Sequence, residues 1–396
     1  MKTVLVNGRV VTPYRVLDDR GVVAEDGKIT EIFTGAYTGE ADEIIDVGGR
    51  YISPGFIDLH THGAGGHDYM DGTAEAVEGA AKAQMRHGTT SLMATTTTGS
   101  MEEIMASLAA YNEVKKTMKD GPNLLGVHME GPYVSPFRNG AQDKNYLRPI
   151  DLDEIRGLLD FCPDIRRMSI APEEKNGIEA GRLLRDRGII ASIGHSDAMY
   201  EDVLEACENG YSLVTHYYSG NSTLARKTHR RELGIIETAY LVDNLDVEII
   251  CDGIHLPPEL LTLILKQKPW NNIILTTDSN RGVDMPEGSE VRIGSKKNGQ
   301  LCYVEGGVAM MWHRKSYGGS IATLDRCVRT LVQQVHVPLP AAVRMASLNT
   351  ARVAGVPRKG SIAVGKDADL CVFGDDIRVV AVMVGGKMVT NEMEKA

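Results

Sequence analysis

No run of about 18 apolar residues occurs anywhere in the chain, which argues against a membrane-spanning helix. Basic excess is missing too. With a net charge of −10 over 396 residues, general nucleic-acid binding is not expected. The six cysteines are scattered and form no C-x-x-C pair, so a reduced cytoplasm is the simplest compartment. A signal peptide is not expected, because Lys2 precedes only a short, interrupted β run. Low-complexity sequence is absent, and the short run Thr95–Thr98 fits the end of a β-strand better than a linker.

What the chain does have is a pair of histidines, His60 and His62, in Phe56-Ile57-Asp58-Leu59-His60-Thr61-His62-Gly63, just after a Pro-Gly turn. Residues two apart on a strand face the same side, so both imidazoles can address one point. Imidazole suits zinc and other borderline divalent metals. Two solvent-facing histidines are the alternative, and repetition of the pattern argues against it. Later apolar runs end in Glu130, His195, His216, Asp252 with His255, and Asp278. Helical stretches lie between them, at 102–118, 175–187 and Asp197 to Gly210.

Near-continuous apolar strands alternating with helices imply a parallel sheet covered on both faces. The fold class expected is α/β, a (β/α)8 TIM-type barrel, whose strand C-termini meet at one face. Its strands are read as Gly55–His60, Ser91–Thr97, Leu124–Glu130, Arg167–Ala171, Ile189–His195, Leu213–His216, Glu248–Cys251 and Ile273–Asp278. A chain of 396 residues exceeds a bare barrel of about 250. The surplus is β-rich and sits at both ends: Thr3–Val11, Val22–Phe33 and Glu43–Ile52, then Asp369–Phe373 and Val379–Val389. Residues 1–52 and 357–396 are expected to combine into a small β-sandwich domain, with 53–356 as the barrel. Residues 281–318 read as a hairpin-bearing insertion, followed by helices at Ser320–Val335 and Pro340–Ala354.

The set His60, His62, Glu130, His195, His216 and Asp278 is rich in nitrogen and oxygen donors. It can hold one or two divalent ions, and such ions bring the pKa of water toward neutrality. Asp278 can then accept a proton and pass it to a leaving group. Hydrolysis of an amide or related bond is the reaction class these parts suggest.

The motifs Pro54 through Gly63, His128-Met129-Glu130-Gly131-Pro132-Tyr133, Asn139-Gly140-Ala141-Gln142, Gly194-His195-Ser196-Asp197-Ala198, Thr215-His216, Asp252-Gly253-Ile254-His255, Thr277-Asp278, Gly318-Gly319-Ser320 and Gly365-Lys366-Asp367-Ala368-Asp369-Leu370 resemble the amidohydrolase superfamily. The likeness is greatest to its N-acetylglucosamine-6-phosphate deacetylases, through Glu-Gly-Pro and Asp-Gly-Ile-His. That resemblance implies metal-dependent hydrolysis of the acetamide of N-acetylglucosamine-6-phosphate, giving acetate and glucosamine-6-phosphate. It implies Glu130, His195 and His216 as principal metal ligands, His60 and His62 at a second metal position, and Asp278 as acid–base group and ligand. Zinc is the ion expected, with Fe2+ the alternative.

For the substrate, the resemblance implies contacts from Gln142, His255, Ser219 and Gly220. Arg231 would reach the phosphate from the neighbouring subunit of a homodimer. Arg226, Lys227, His229, Arg230 and Arg231 form the densest basic cluster in an acidic chain; a solvated basic loop is the alternative. The chain departs from the family at Tyr217-Tyr218-Ser219-Gly220-Asn221, Tyr317-Gly318-Gly319 and Ser279-Asn280-Arg281. N-acetylgalactosamine-6-phosphate or another N-acyl compound therefore stays an alternative substrate. A cyclic-amide amidohydrolase is less expected, because Arg167–Glu173 lacks the lysine such relatives carry.

Several conspicuous residues get plain readings. Arg281 is expected on the surface of the insertion, with an anion contact as the alternative, Cys251 as a packing residue, and Asp252 as a helix or turn cap rather than a catalytic group. His128 is read as supporting Glu130, and His67, His87, His313 and His336 as structural or solvated. Trp312, Tyr217 and Tyr218 either line a pocket or pack.

Overall fold

The structure is a computed structural model and describes residues 1–226 and 229–393. Its centre is a sheet of parallel strands in chain order: β1 Phe56–Thr61, β2 Thr89–Thr96, β3 Asn123–Glu130, β4 Ile165–Ile170, β5 Ile190–Ile193, β6 Tyr211–Val214, β7 Asp246–Ile250 and β8 Ile273–Thr276. Every residue of β1, β2, β7 and β8 is buried. Such strands read as continuous apolar runs because both of their faces are covered.

The first and last strands meet at their C-terminal ends. The Asp278 amide donates to the His60 carbonyl at 2.9 Å, and the His62 amide to the Ser279 carbonyl at 2.7 Å. Asp58 ties the same seam, accepting from the hydroxyls of Thr276 at 2.9 Å and Thr277 at 2.6 Å. Burial raises the Asp58 pKa to about 6. Barrel closure thus occurs where the polar strand tips gather, which is the catalytic face of such folds.

Inside the ring, Met93 on β2 and Leu213 on β6 share one cluster with Ile57, Leu59 and Ile274, closed below by Ala351. Outside, helices pack on the sheet in a single large core. The helix Met101–Thr117 starts at Ser100 with a capping box closed by Glu103. Four helices lie outside the stretches read from sequence: Ala74–Arg86, Leu152–Phe161, Ile235–Leu241 and Pro258–Gln267. The helix expected over Pro340–Ala354 is two, Leu339–Met345 and Leu348–Val353, divided where Ser347 takes φ −141° and ψ −78°.

Strands from both ends of the chain form a second, eight-stranded sheet. Tyr51–Pro54 pairs on one side with Lys2–Val11 and on the other with Leu370–Phe373, so one strand joins the two terminal segments. Both arms contribute to one core that includes Leu5, Val22, Ile45, Ile52, Leu370 and Met383. The expected insertion is a three-stranded sheet, Glu290–Ile293, Gln300–Glu305 and Val308–Met311. Among the described residues, no helix is long and apolar enough to cross a membrane.

Candidate metal centre

His60, His62, Glu130, His195, His216 and Asp278 come together in one place. Glu130 ends β3, while His195, His216 and Asp278 lie beyond the ends of β5, β6 and β8. The sequence reading placed these three on the strands. They sit instead on left-handed backbone, with φ of 48°, 27° and 47°. For non-glycine residues that conformation is strained, and it is held by the surrounding contacts. The turn redirects each side chain from the sheet toward the centre of the barrel mouth.

Two donor groups share the Glu130 carboxylate: His60, His62 and Glu130, and Glu130, His195 and His216. In the second, His216 Nε2 stands 2.8 Å and His195 Nε2 3.2 Å from Glu130 Oε1, and the two nitrogens are 3.1 Å apart. In the first, His60 Nε2 and His62 Nε2 are 3.2 Å apart. His62 Nε2 is 3.2 Å from Glu130 Oε2 and 3.2 Å from Asp278 Oδ1. A tetrahedron with metal–nitrogen bonds near 2.0 Å has edges of about 3.3 Å. Converging imidazole nitrogens with a buried carboxylate at such separations fit a divalent cation.

The electrostatics are those of a compact charge cluster. Burial pushes the Glu130 carboxyl up, but His60, His195 and His216 outweigh it and hold the group well below its usual range. Burial likewise opposes charge on His60, and Glu130, Asp278 and Glu248 raise it to about 9. Asp278 lies below the ordinary carboxylate range because His60 and His62 outweigh its burial.

His62, Glu130, His195, His216 and Asp278 line a cavity of about 360 Å³, together with Gln142, Ser219, Gly220, His255, Lys315 and Tyr317. Gln142 Oε1 accepts from the Thr98 amide at 2.8 Å and the Thr97 hydroxyl at 2.9 Å, which fixes its Nε2 as donor to Glu130 Oε2 at 2.7 Å. His255 Nδ1 lies 2.7 Å from Asp252 Oδ2, and its ring meets Tyr317 edge-on at 4.9 Å. Asp252 also accepts two turn amides, so it caps the turn as expected.

Two glycines stand where a side chain would crowd this cavity. Gly220 has φ +59°, and a Cβ there would lie 2.8 Å from His195 Nδ1. A Cβ on Gly318 would meet Ile293 Cδ1 at 2.1 Å, so a side chain there would displace the ends of Ile293, Cys302 and Met311 on the insertion sheet.

Arg231 does not line the cavity of its own chain; Arg226, His229, Arg230 and Arg231 are all exposed. Lys227 lies outside the described residues. The expectation of a surface Arg281 is corrected: the residue is buried, with its guanidinium 2.9 and 3.1 Å from the Asp71 carboxylate. It braces the insertion against the segment after β1, because a buried guanidinium needs a carboxylate and carbonyl acceptors. Tyr217 is buried and Tyr218 bonds Tyr240, so both pack. Sequence reasoning missed Lys315, Thr97, Arg167 and Glu248. For the last two a signal existed, since charged residues inside apolar strands must find partners.

The model of the amidohydrolase family matches residues 51–389. An N-acetylglucosamine-6-phosphate deacetylase of Lysinibacillus sphaericus is 33% identical over 366 residues, 92% of each chain. In three dimensions the chain is similar to the N-acetylglucosamine-6-phosphate deacetylase of Pasteurella multocida, with TM-score 0.90 and 28% identity, over 99% of this chain and 100% of that one. It is also similar to an aspartate-to-alanine variant of the Mycobacterium smegmatis enzyme in complex with N-acetyl-D-glucosamine-6-phosphate, with TM-score 0.89 and 28% identity, over 98% of this chain and 100% of that one. A catalytic-face cluster of histidines and carboxylates on a parallel barrel, matched along almost its whole length, makes this chain a member of the amidohydrolase family.

Proposed function

We propose that the chain is a metal-dependent deacetylase that hydrolyses N-acetylglucosamine-6-phosphate to acetate and glucosamine-6-phosphate. The observation that carries this reading is the pair of donor groups sharing Glu130, with Asp278 beside them, at a cavity of about 360 Å³. Glu130, His195 and His216 would hold the principal ion, and His60 and His62 a second. The donor set favours zinc, with Fe2+ the alternative. When bound, a divalent ion supplies charge that polarises an acyl oxygen and makes water acidic near neutral pH.

The protein's own groups then divide the work. Asp278, whose Oδ1 lies 3.2 Å from His62 Nε2, accepts the proton of the attacking water and delivers it to the leaving amine. Gln142 spends one N–H on Glu130 and keeps its second for the acetyl carbonyl. With Nδ1 of His255 held by Asp252, a ligand hydroxyl would meet Nε2. Backbone at Ser219 and Gly220 and the ring of Tyr317 complete the sugar site.

The anionic end of the substrate has two candidate partners. Lys315 is the one lysine or arginine lining the cavity among the described residues. Arg231 lies outside it, and we assign it to the cavity of a partner subunit in a homodimer. Lys315→Ala and Arg231→Ala are each expected to raise KM for the phosphorylated sugar about 10- to 100-fold, the worth of a charge-assisted hydrogen bond. Neither should alter kinetics on the unphosphorylated sugar; equal effects on both substrates would remove that residue from phosphate binding.

We further assign a cytoplasmic location, and residues 1–52 with 357–396 to the terminal domain and 53–356 to the barrel. The function is tested by acetate release from the zinc-loaded protein given N-acetylglucosamine-6-phosphate, its galacto epimer, or unphosphorylated N-acetylglucosamine. Release from the phosphorylated gluco sugar is expected. Preference for the galacto epimer would reassign the substrate to the altered contacts at 219–220 and 317–319. No release with metal bound would overturn the deacetylase reading.

A further inference from the structure

Beneath the donor cluster lies a fully buried ion pair that the proposed chemistry does not use. Glu248 on β7 and Arg167 on β4 are both 0% exposed, with Arg167 Nη1 2.5 Å from Glu248 Oε2. Arg167 is among the largest fully buried side chains of the protein. Its Nε donates to Ser192 Oγ at 2.9 Å, Nη1 to the Leu59 carbonyl at 3.2 Å, and Nη2 to Thr215 Oγ1 at 3.0 Å. One guanidinium thereby fastens β1, β5, β7 and the end of β6 to β4. A planar fork of fixed donors suits that task, and a flexible ammonium does not.

The other carboxylate oxygen of Glu248 faces the donor cluster. Glu248 Oε1 lies 2.7 Å from His60 Nδ1 and accepts the His216 backbone amide at 3.0 Å. A single oxygen therefore holds the ring of a residue in one donor group and the backbone of a residue in the other. With Nδ1 engaged, His60 can present only Nε2 to the cluster. The His216 amide is held where the backbone takes φ 27°, a conformation that needs such support.

The circuit returns to His60 by a second route. Thr215 Oγ1 contacts Ser169 Oγ at 2.7 Å, Ser169 Oγ contacts His128 Nε2 at 2.8 Å, and the His128 ring stands edge-on to His60 at 4.5 Å. The His60 imidazole is thus fixed at one nitrogen and along its ring.

We infer that Glu248, anchored by Arg167, is a positioning residue that couples the two donor groups, setting the His60 ring directly and His216 through its backbone. This rests on the reading of the cluster as a metal centre. Its ring contact is with His60, so the group containing His60 and His62 depends on it more.

The test is zinc affinity and stoichiometry, measured by competition with a chelator of known affinity on the full chain. Glu248→Gln keeps the size of the side chain and removes its charge. It is expected to weaken the His60–His62 ion about 10- to 100-fold, as loss of a carboxylate behind a ligating histidine typically does. The stoichiometry should fall from two to one at a free-zinc level that saturates the parent protein. Should Glu248→Gln not fold, Ser192→Ala, which removes one hydrogen bond from Arg167, should give the same ordering with a smaller change. Unchanged affinities in a folded variant, or equal weakening of both ions, would overturn the inference. A parent protein that binds no zinc would instead overturn the metal reading itself.

Discussion

Asp278→Asn is expected to lower the turnover of acetate release by about 10²- to 10⁴-fold, the range for loss of a positioned general acid–base group, while the protein stays folded. The substitution is nearly isosteric, and the backbone favours it. Asp278 has φ 47°, a region that asparagine and aspartate enter more readily than other side-chain-bearing residues. The amide bond to the His60 carbonyl and the bond from Ser320 N–H to the Asp278 carbonyl are main-chain contacts that survive. What is lost is a charged acceptor 3.2 Å from His62 Nε2 and 3.4 Å from His60 Nε2. Loss of the proton acceptor acts only in the transition state, so kcat and kcat/KM should fall together. Glu130, His195 and His216 are untouched, so the variant should still bind metal at that group. Turnover within threefold of the parent, with metal bound, would take the acid–base role from Asp278.

How much of this site was legible beforehand depended on where each residue's role is written. The metal-capable residues stood at the ends of apolar runs, and the barrel follows from the alternation of such runs with helices. That pattern is local, so sequence carried it. The final step in placing these side chains was not local. His195, His216 and Asp278 leave the strand before they reach the centre, and the left-handed turn that carries them is enforced by tertiary contacts such as the Glu248 carboxylate beneath His216.

The cavity wall was harder still. Lys315 belongs to the insertion, and it lines the cavity beside residues from the ends of β3 and β8 that are far from it in sequence. Arg281 misled for the same reason, since nothing adjacent in sequence announces Asp71, its carboxylate partner. Long-range polar pairs of this kind are set by the closed barrel. The terminal sheet was legible as β structure, whereas its seam, Tyr51–Pro54 between two strands from opposite ends of the chain, is a matter of topology.

Arg167→Met should lower stability by about 3–5 kcal/mol, the cost of leaving a buried charge without its partner. Methionine fills much of the same volume, so packing loss is the smaller part of the effect. The larger part is Glu248, which is 0% exposed and has its carboxyl held below the usual range because Arg167 and His60 outweigh its burial. Without the guanidinium that balance reverses, and the hydroxyls of Ser192 and Thr215 lose their donor as well. The damage is electrostatic and can be relieved from the other side. Adding Glu248→Gln to Arg167→Met removes the stranded charge, and the double variant should be more stable than Arg167→Met alone. Denaturant midpoints of the chelator-treated proteins measure this without a contribution from metal binding. A loss below about 1 kcal/mol for Arg167→Met would mean that solvent or a rearranged neighbour satisfies Glu248. Additive losses in the double variant would mean that the two residues act through packing alone, since independent sites add and members of one charge network do not.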